Sequence, residues 1–447
     1  MHKFQVAYLP IGVPTFHLES AQKEFERSAA LLKKLCAETV CPDEMLLTMD
    51  KLTDFCDTLQ DPSLVVIQNV TFANGAYAGE ILRRFNCPVV LWTLREPVID
   101  GGRLRLNSLT GAYSAANMLW AFSKTRFQYV LGSPGEEAVK RALTAALGAA
   151  RVKDLLRGLK MVSVGHTPQG FGFGRALDAD LLSVFGVTLD SIEARELIDK
   201  AKGYTDEECA AYLAEASGKM NGLDGTPDKN RLDFARLCKA YLDYAEENHV
   251  GALSSRCWPD FFTAFGTPVC GVLALLNDKL IPASCEADAY GALSMYIGAQ
   301  LTGRPTFFGD PVSLDEDENT VTYWHCGTAA CSLARPDTGA KVDVHCNRKI
   351  GPTLDFGCIA CDKVTVFRVG RTWDGSFRFF VAGGEALDKP KQFNGCSVVV
   401  KTETSARALV EQSVKDGWEP HFAVVYGEVK AELKALADML GLEVCEY

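Results

Sequence analysis

The strongest constraint on the fold lies in the first third of the chain, where short, wholly apolar runs alternate with segments of helical period. Residues 64–67 and 89–92 are apolar at every position, a pattern that suits a strand buried on both faces, as in a parallel sheet covered by helices. Residues 5–9 and 128–131 read as further strands. Leu18, Ala21, Phe25, Ala29, Leu32 and Leu35 recur every three or four residues and so give one apolar helix face. Strand and helix in alternation predict a layered, Rossmann-like α/β domain with a largely parallel sheet.

The helix-rich stretch 136–159 leads into 161–165, which reads as the first strand of a second α/β unit. Helical patterns around Leu181, 192–197 and 232–245 and a strand at 251–253 continue it. Beyond about 304 the character changes: 320–324, 364–369, 377–381 and 397–401 are short, alternating and separated by turns. They predict a mainly β domain closed by a last helix over 429–440. The expected organisation is three domains, 1–155, 156–304 and 305–447, in keeping with roughly 100 to 200 residues per domain.

At 47% hydrophobic and 23% charged residues, the chain can bury a large core without covalent cross-links. Its sixteen cysteines are scattered, and the opening MHKFQVAYLP shows no basic-then-apolar leader, so a reducing, cytoplasmic setting is expected. No apolar run approaches the roughly 18 residues of a membrane span. A net charge of -11 argues against broad affinity for nucleic acid or anionic lipid.

The residues that could carry chemistry gather at a few junctions. Cys285-Glu286-Ala287-Asp288 stands between an apolar stretch and a helical one, Gly309-Asp310-Pro311 reads as a turn, and Trp324-His325-Cys326-Gly327 follows a strand-like run. Gly417-Trp418-Glu419-Pro420-His421 lies between a helix and a strand at 422–425. Two carboxylates and one or two histidines from separate strand ends can hold a divalent ion, which acidifies the carbon between a carbonyl and a hydroxyl so that a carboxylate can deprotonate it. By spacing alone, the other reading is that these acids are solvated loop residues. The loop 165–171 follows a strand but lacks the GxGxxG spacing of a dinucleotide loop. Cys358 and Cys361, with Cys326, Cys331 and Cys346 upstream, fit either a structural zinc site or buried reduced thiols. Trp258 and Trp324 fit either a sugar-stacking wall or a core.

The passage from Ser255-Arg256-Cys257-Trp258-Pro259 through Cys285-Glu286-Ala287-Asp288, Gly309-Asp310 and Trp324-His325-Cys326-Gly327 resembles the catalytic region of the L-fucose/L-arabinose isomerase superfamily. Weaker likeness at 10–16, 107–111 and the Pro420-His421 turn extends it over nearly the whole chain. The resemblance implies two α/β domains followed by a β-barrel-like one, with a manganese-type ion (Mn2+, or Mg2+ or Co2+) between the second and third. It also implies aldose–ketose isomerisation of a free monosaccharide by enediol proton transfer; pentoses, 6-deoxyhexoses and modified hexoses such as a sulfonated sugar all remain open. Carried across, Glu286 and Asp310 match the metal-binding carboxylates that also move the proton, and His421 matches the distal metal-binding histidine. His325 stands near a further metal-binding histidine of arabinose isomerases and otherwise contacts substrate. Trp258, Arg256 and His17 are candidate substrate contacts, His17 in a neighbouring subunit's site, since the family forms homo-oligomers such as trimers or hexamers. For an anionic sugar, Arg95, Arg256 and Arg304 are possible partners, or else ordinary salt bridges. The alternatives are a sugar-binding or regulatory homologue without turnover, and metal-assisted hydrolysis with the same ligands.

Overall fold

The apolar runs of the first third form the buried strands of a parallel sheet. In the computed structural model, which describes residues 3–124 and 126–447, the strands β1 (Val6–Ile11), β2 (Thr39–Val40), β3 (Leu64–Asn69), β4 (Val89–Thr93) and β5 (Gln128–Leu131) assemble in the order β2-β1-β3-β4-β5. Every pairing is parallel, and β1, β3 and β4 are buried throughout. Helix Leu18–Leu35 lays Ala21, Phe25, Leu31 and Leu32 into the core, although Leu18 itself is exposed. These elements belong to one compact unit, Met1–Leu155 together with Ala431–Gly441.

The second unit comprises Leu156–Lys430 and Leu442–Tyr447. It begins with β6 (Lys160–Val164), β7 (Thr188–Ile192), β8 (Met220–Asn221), β9 (Ala252–Ser255) and β10 (Ala283–Cys285). Four of these make a parallel sheet in the order β10-β9-β6-β7. The remaining strands are β11 (Phe307–Asp315), β12 (Thr320–His325), β13 (Ala340–Asp343), β14 (Thr353–Leu354), β15 (Cys361–Arg371), β16 (Phe377–Ala386), β17 (Cys396–Thr402), β18 (Phe422–Val425) and β19 (Glu443–Glu446). The ladder β15-β18-β11-β12-β17-β16 closes into a barrel because β16 also pairs with β15, and β19 adds to β16 in parallel. Closure leaves the six barrel strands no free edge. A single hydrophobic core joins the sheet to the barrel, with Val162, Leu253 and Leu273 in the same cluster as Phe307, Phe380 and Val424. The fold is thus α/β with parallel sheets, followed by a closed barrel.

Two local expectations change. Asp310 is not in a turn: it lies within β11, opposite Trp324 of β12. The register slips between Pro311 and Ser313, so the turn-like Gly-Asp-Pro composition marks a bulge, where a proline's missing N–H is tolerated. Nor does the chain close on its last helix, Lys430–Leu440. Gly441, at φ 75°, reverses the chain into β19. Among the described residues, no helix is long and apolar enough to cross a membrane.

Candidate metal centre

Glu286 follows β10 directly, and the backbone there is unusual. Glu286 and Ala287 both adopt left-handed conformations, φ 58° and 55°, without being glycine. Each such residue costs roughly 1–2 kcal/mol. The turn is tied down by hydrogen bonds from the Ala287 N–H to the Ser255 carbonyl at 3.1 Å and from the Asp288 N–H to the Cys285 carbonyl at 3.1 Å. Asp288 then caps the helix Ala289–Thr302, its Oδ1 accepting the Gly291 N–H at 2.9 Å.

Barrel strands bring the other groups. His421, immediately before β18, points Nε2 at Glu286 Oε2 (3.0 Å) and at Asp310 Oδ1 (3.4 Å). Its opposite nitrogen, Nδ1, meets Asp288 Oδ2 at 2.9 Å. Asp288 in turn accepts both forks of Arg368, at 2.7 and 3.2 Å, and the same guanidinium donates to the His421 carbonyl at 2.9 Å. Asp288 and Arg368 are 1% and 0% exposed, and Glu419 stands 3.6 Å from the Arg368 Nε.

The electrostatics place a proton on Nδ1 of His421. Burial resists the charge on Asp288, but Arg368 and then His421 hold its carboxyl well below the usual carboxylate range. An ionised Asp288 can only accept, so Nδ1 of His421 bears the hydrogen. In the neutral ring, Nε2 then offers its lone pair toward Glu286 and Asp310. Burial pulls the His421 ring downward, yet the carboxylates of Asp288 and Glu286 outweigh it and raise its pKa. Burial likewise raises the Asp310 carboxyl, against the opposing pull of His421.

Two carboxylates that both approach one imidazole nitrogen favour a cation beside it. Two carboxylate oxygens and one imidazole nitrogen suit Mn2+, Mg2+ or Co2+ better than a thiophilic metal. One donor atom each from Glu286, His325 and His421 lie within 4.8 Å of one another, and Asp310 brings its Oδ1 to 3.4 Å from His421 Nε2. The residues present fit such an ion.

An aromatic wall surrounds the histidine. The rings of Phe308, Phe173 and Phe171 have centroids 4.7, 5.3 and 6.4 Å from that of His421, and Phe171 meets Trp258 edge-on at 6.5 Å. The loop carrying Phe171 and Phe173 is drawn in at Gly174, where a Cβ would lie 2.7 Å from the Asp288 Cα.

The other candidates are placed differently. Arg256 is committed to protein groups: Asp260 at 3.0 Å, the Trp258 carbonyl at 3.2 Å and His166 Nε2 at 3.2 Å. His17 belongs to the first unit, where its Nδ1 accepts the Ser20 N–H at 3.3 Å and caps helix Leu18–Leu35. Arg95 forms a bidentate pair with Glu136, and Arg304 lies over the Tyr426 ring. Among the described residues, Cys358 and Cys361 fall in no group able to hold a metal. Cys326 instead gathers with Cys270 and His345, and with Cys285 and His325. The sequence marks Asp288 within the 285–288 junction without giving it a role, and it does not single out Arg368. The available signal is an arginine inside the largely apolar stretch 364–370 of β15, since a charge there must be paired.

Residues 348–447 match the family model described as L-fucose isomerase, C-terminal domain, which places that stretch in the L-fucose isomerase-like class. Over its full 447 residues the chain is 66% identical to the sulfoquinovose isomerase of Clostridium sp. (strain MSTE9), covering 100% of both chains. It is 38% identical to the sulfoquinovose isomerase of Priestia aryabhattai, again over 100% of both, and 35% identical to that of Alkalicoccus urumqiensis, over 99% of both. The chain belongs to this family within the L-fucose isomerase-like superfamily, and it is an isomerase.

Proposed function

We propose that this isomerase interconverts the aldose and ketose forms of a sulfonated hexose, sulfoquinovose, with the help of a divalent cation held by Glu286, Asp310 and His421. The substrate reading is supported by full-length similarity to isomerases of that sugar. The mechanism rests on one observation, the convergence of two carboxylates on a histidine nitrogen whose partner nitrogen is held by Asp288.

A Mn2+-class ion bound there supplies Lewis acidity toward the sugar carbonyl and the neighbouring hydroxyl. The proton transfer belongs to the chain's own carboxylates. One of Glu286 and Asp310 removes the hydrogen from the carbon next to the carbonyl, and the other helps return a proton to the adjacent carbon by way of an enediol. Oxidation of one carbon and reduction of its neighbour cancel, so no redox cofactor takes part. Phe171, Phe173 and Phe308, ringed about His421, keep water from the reacting carbons, while His325 binds sugar hydroxyls and Trp258 packs on the C–H face. The test is aldose–ketose exchange on sulfoquinovose by purified enzyme, before and after chelation and after Mn2+ is restored. Activity that disappears and returns supports the reading; full activity in chelator removes the metal from it, and no exchange under any condition removes the substrate.

A further inference from the structure

A sulfonate is a permanent anion with three acceptor oxygens, and a guanidinium fork matches such a group. The arginines around the metal centre differ in how much donor capacity they retain. Arg368 serves Asp288, Arg256 serves Asp260 and two further acceptors, and Arg371 faces Asp180 at 3.2 Å. Arg348 is the exception. Its guanidinium lies 5.1 Å from the centre of the Trp258 ring and 5.0 Å from that of Phe262. Among the described residues, no carboxylate, carbonyl or hydroxyl engages its side-chain donors, and its only hydrogen bond runs from its backbone N–H to His345 Nδ1 at 3.4 Å.

This arrangement prepares a half-buried cation for an anion from outside the chain. Two aromatic faces hold the guanidinium by cation–π attraction without consuming an N–H. The same Trp258 meets Phe171 edge-on, and Phe171 borders His421, so Arg348 stands at the far end of the wall that begins at the metal centre. For a sugar whose C1 and C2 lie at Glu286 and Asp310, this wall leads from the reacting carbons toward Arg348. We propose that Arg348 binds the sulfonate and is the residue that selects a sulfonated sugar. This rests on the substrate reading given above.

The competing position is Arg175, which is exposed, spends one donor on Thr167 Oγ1 at 3.3 Å and borders a cavity of about 420 Å3 with His166 and Thr167. The test uses metal-loaded full-length enzyme and compares wild type with Arg348→Met, Arg348→Lys and Arg175→Met. KM and kcat are measured on sulfoquinovose, and the inhibition constant of 6-deoxyglucose, the same sugar without its sulfonate, is measured alongside. Arg348→Met is expected to raise KM on the order of 10- to 100-fold, the size of a lost charged hydrogen-bond pair, with kcat changed only a few-fold. Arg348→Lys falls between, because it keeps the charge and loses the fork, and 6-deoxyglucose inhibits all forms alike. An unchanged KM in Arg348→Met overturns the proposal. So does an equal loss for both sugars, or a KM effect that appears in Arg175→Met instead. Wild-type enzyme inert toward sulfoquinovose defeats the substrate reading itself, whereas active wild type with an indifferent Arg348→Met defeats only the role of Arg348.

Discussion

Replacing Asp288 with asparagine removes one buried charge at nearly constant volume and leaves the helix cap intact, because asparagine and aspartate cap equally well. What changes is the pairing on either side. Arg368, fully buried, keeps Glu419 at 3.6 Å as its charged partner, besides the His421 carbonyl, and removing one partner of a buried ion pair typically costs 3–5 kcal/mol. The residual Glu419 contact puts the expected loss near the lower end, about 3 kcal/mol. On the other side, keeping the cap leaves the amide oxygen at the Oδ1 position, so the NH2 group takes the Oδ2 position, to which both Arg368 and His421 Nδ1 donate. There it opposes the guanidinium and, facing Nδ1, drives the ring proton onto Nε2, the nitrogen that faces the metal position. Loss of such a supporting carboxylate commonly weakens metal affinity 10- to 100-fold. Denaturant unfolding of the metal-free protein and calorimetric Mn2+ titration read the two effects separately. Adding Arg368→Met to Asp288→Asn should recover stability without recovering affinity, since it removes the stranded charge but leaves the histidine misdirected. Wild-type affinity together with a stability change below about 1 kcal/mol would refute the reasoning.

Metal analysis of the reconstituted protein should find about one ion per chain, and Glu286→Gln and His421→Ala should each weaken binding by roughly tenfold or more; unchanged binding in both removes them as ligands. Ala287→Gly relieves a left-handed residue and is expected to raise the unfolding free energy by about 0.5–1 kcal/mol, read as an increased denaturation midpoint. No increase would mean that the turn stores no strain. Light scattering at assay concentration should find a homo-oligomer of three or six copies, and a fully active monomer speaks against that expectation.

The legible parts of the fold are those whose pattern is local. Strands β3 and β4 stand out because burial on both faces leaves their first four residues, 64–67 and 89–92, apolar at every position. The two-residue strands β2, β8 and β14 are too short to carry any period, and Asp310 was misread because a bulge in a barrel strand has the composition of a turn. Glu286, Asp310 and His421 were named through resemblance and lie together in the structure, but their support was hidden. Asp288 and Arg368 are separated by 80 positions, and the left-handed pair at Glu286 and Ala287 contains no glycine to announce it. Side-chain pairing across a fold and backbone strain imposed by tertiary contacts leave little local trace in sequence.

The central claim is that carboxylates at this site move a proton between adjacent carbons of the sugar. Turnover of sulfoquinovose in deuterated water, with the ketose and recovered aldose analysed by mass spectrometry at several conversions, tests it most directly. The account predicts one deuterium on the carbon next to the product carbonyl, and loss of most turnover, on the order of 10²-fold or more, in Glu286→Gln and in Asp310→Asn. Complete retention of the original hydrogen at every conversion would contradict it, pointing to a hydride shift in which neither carboxylate carries the proton.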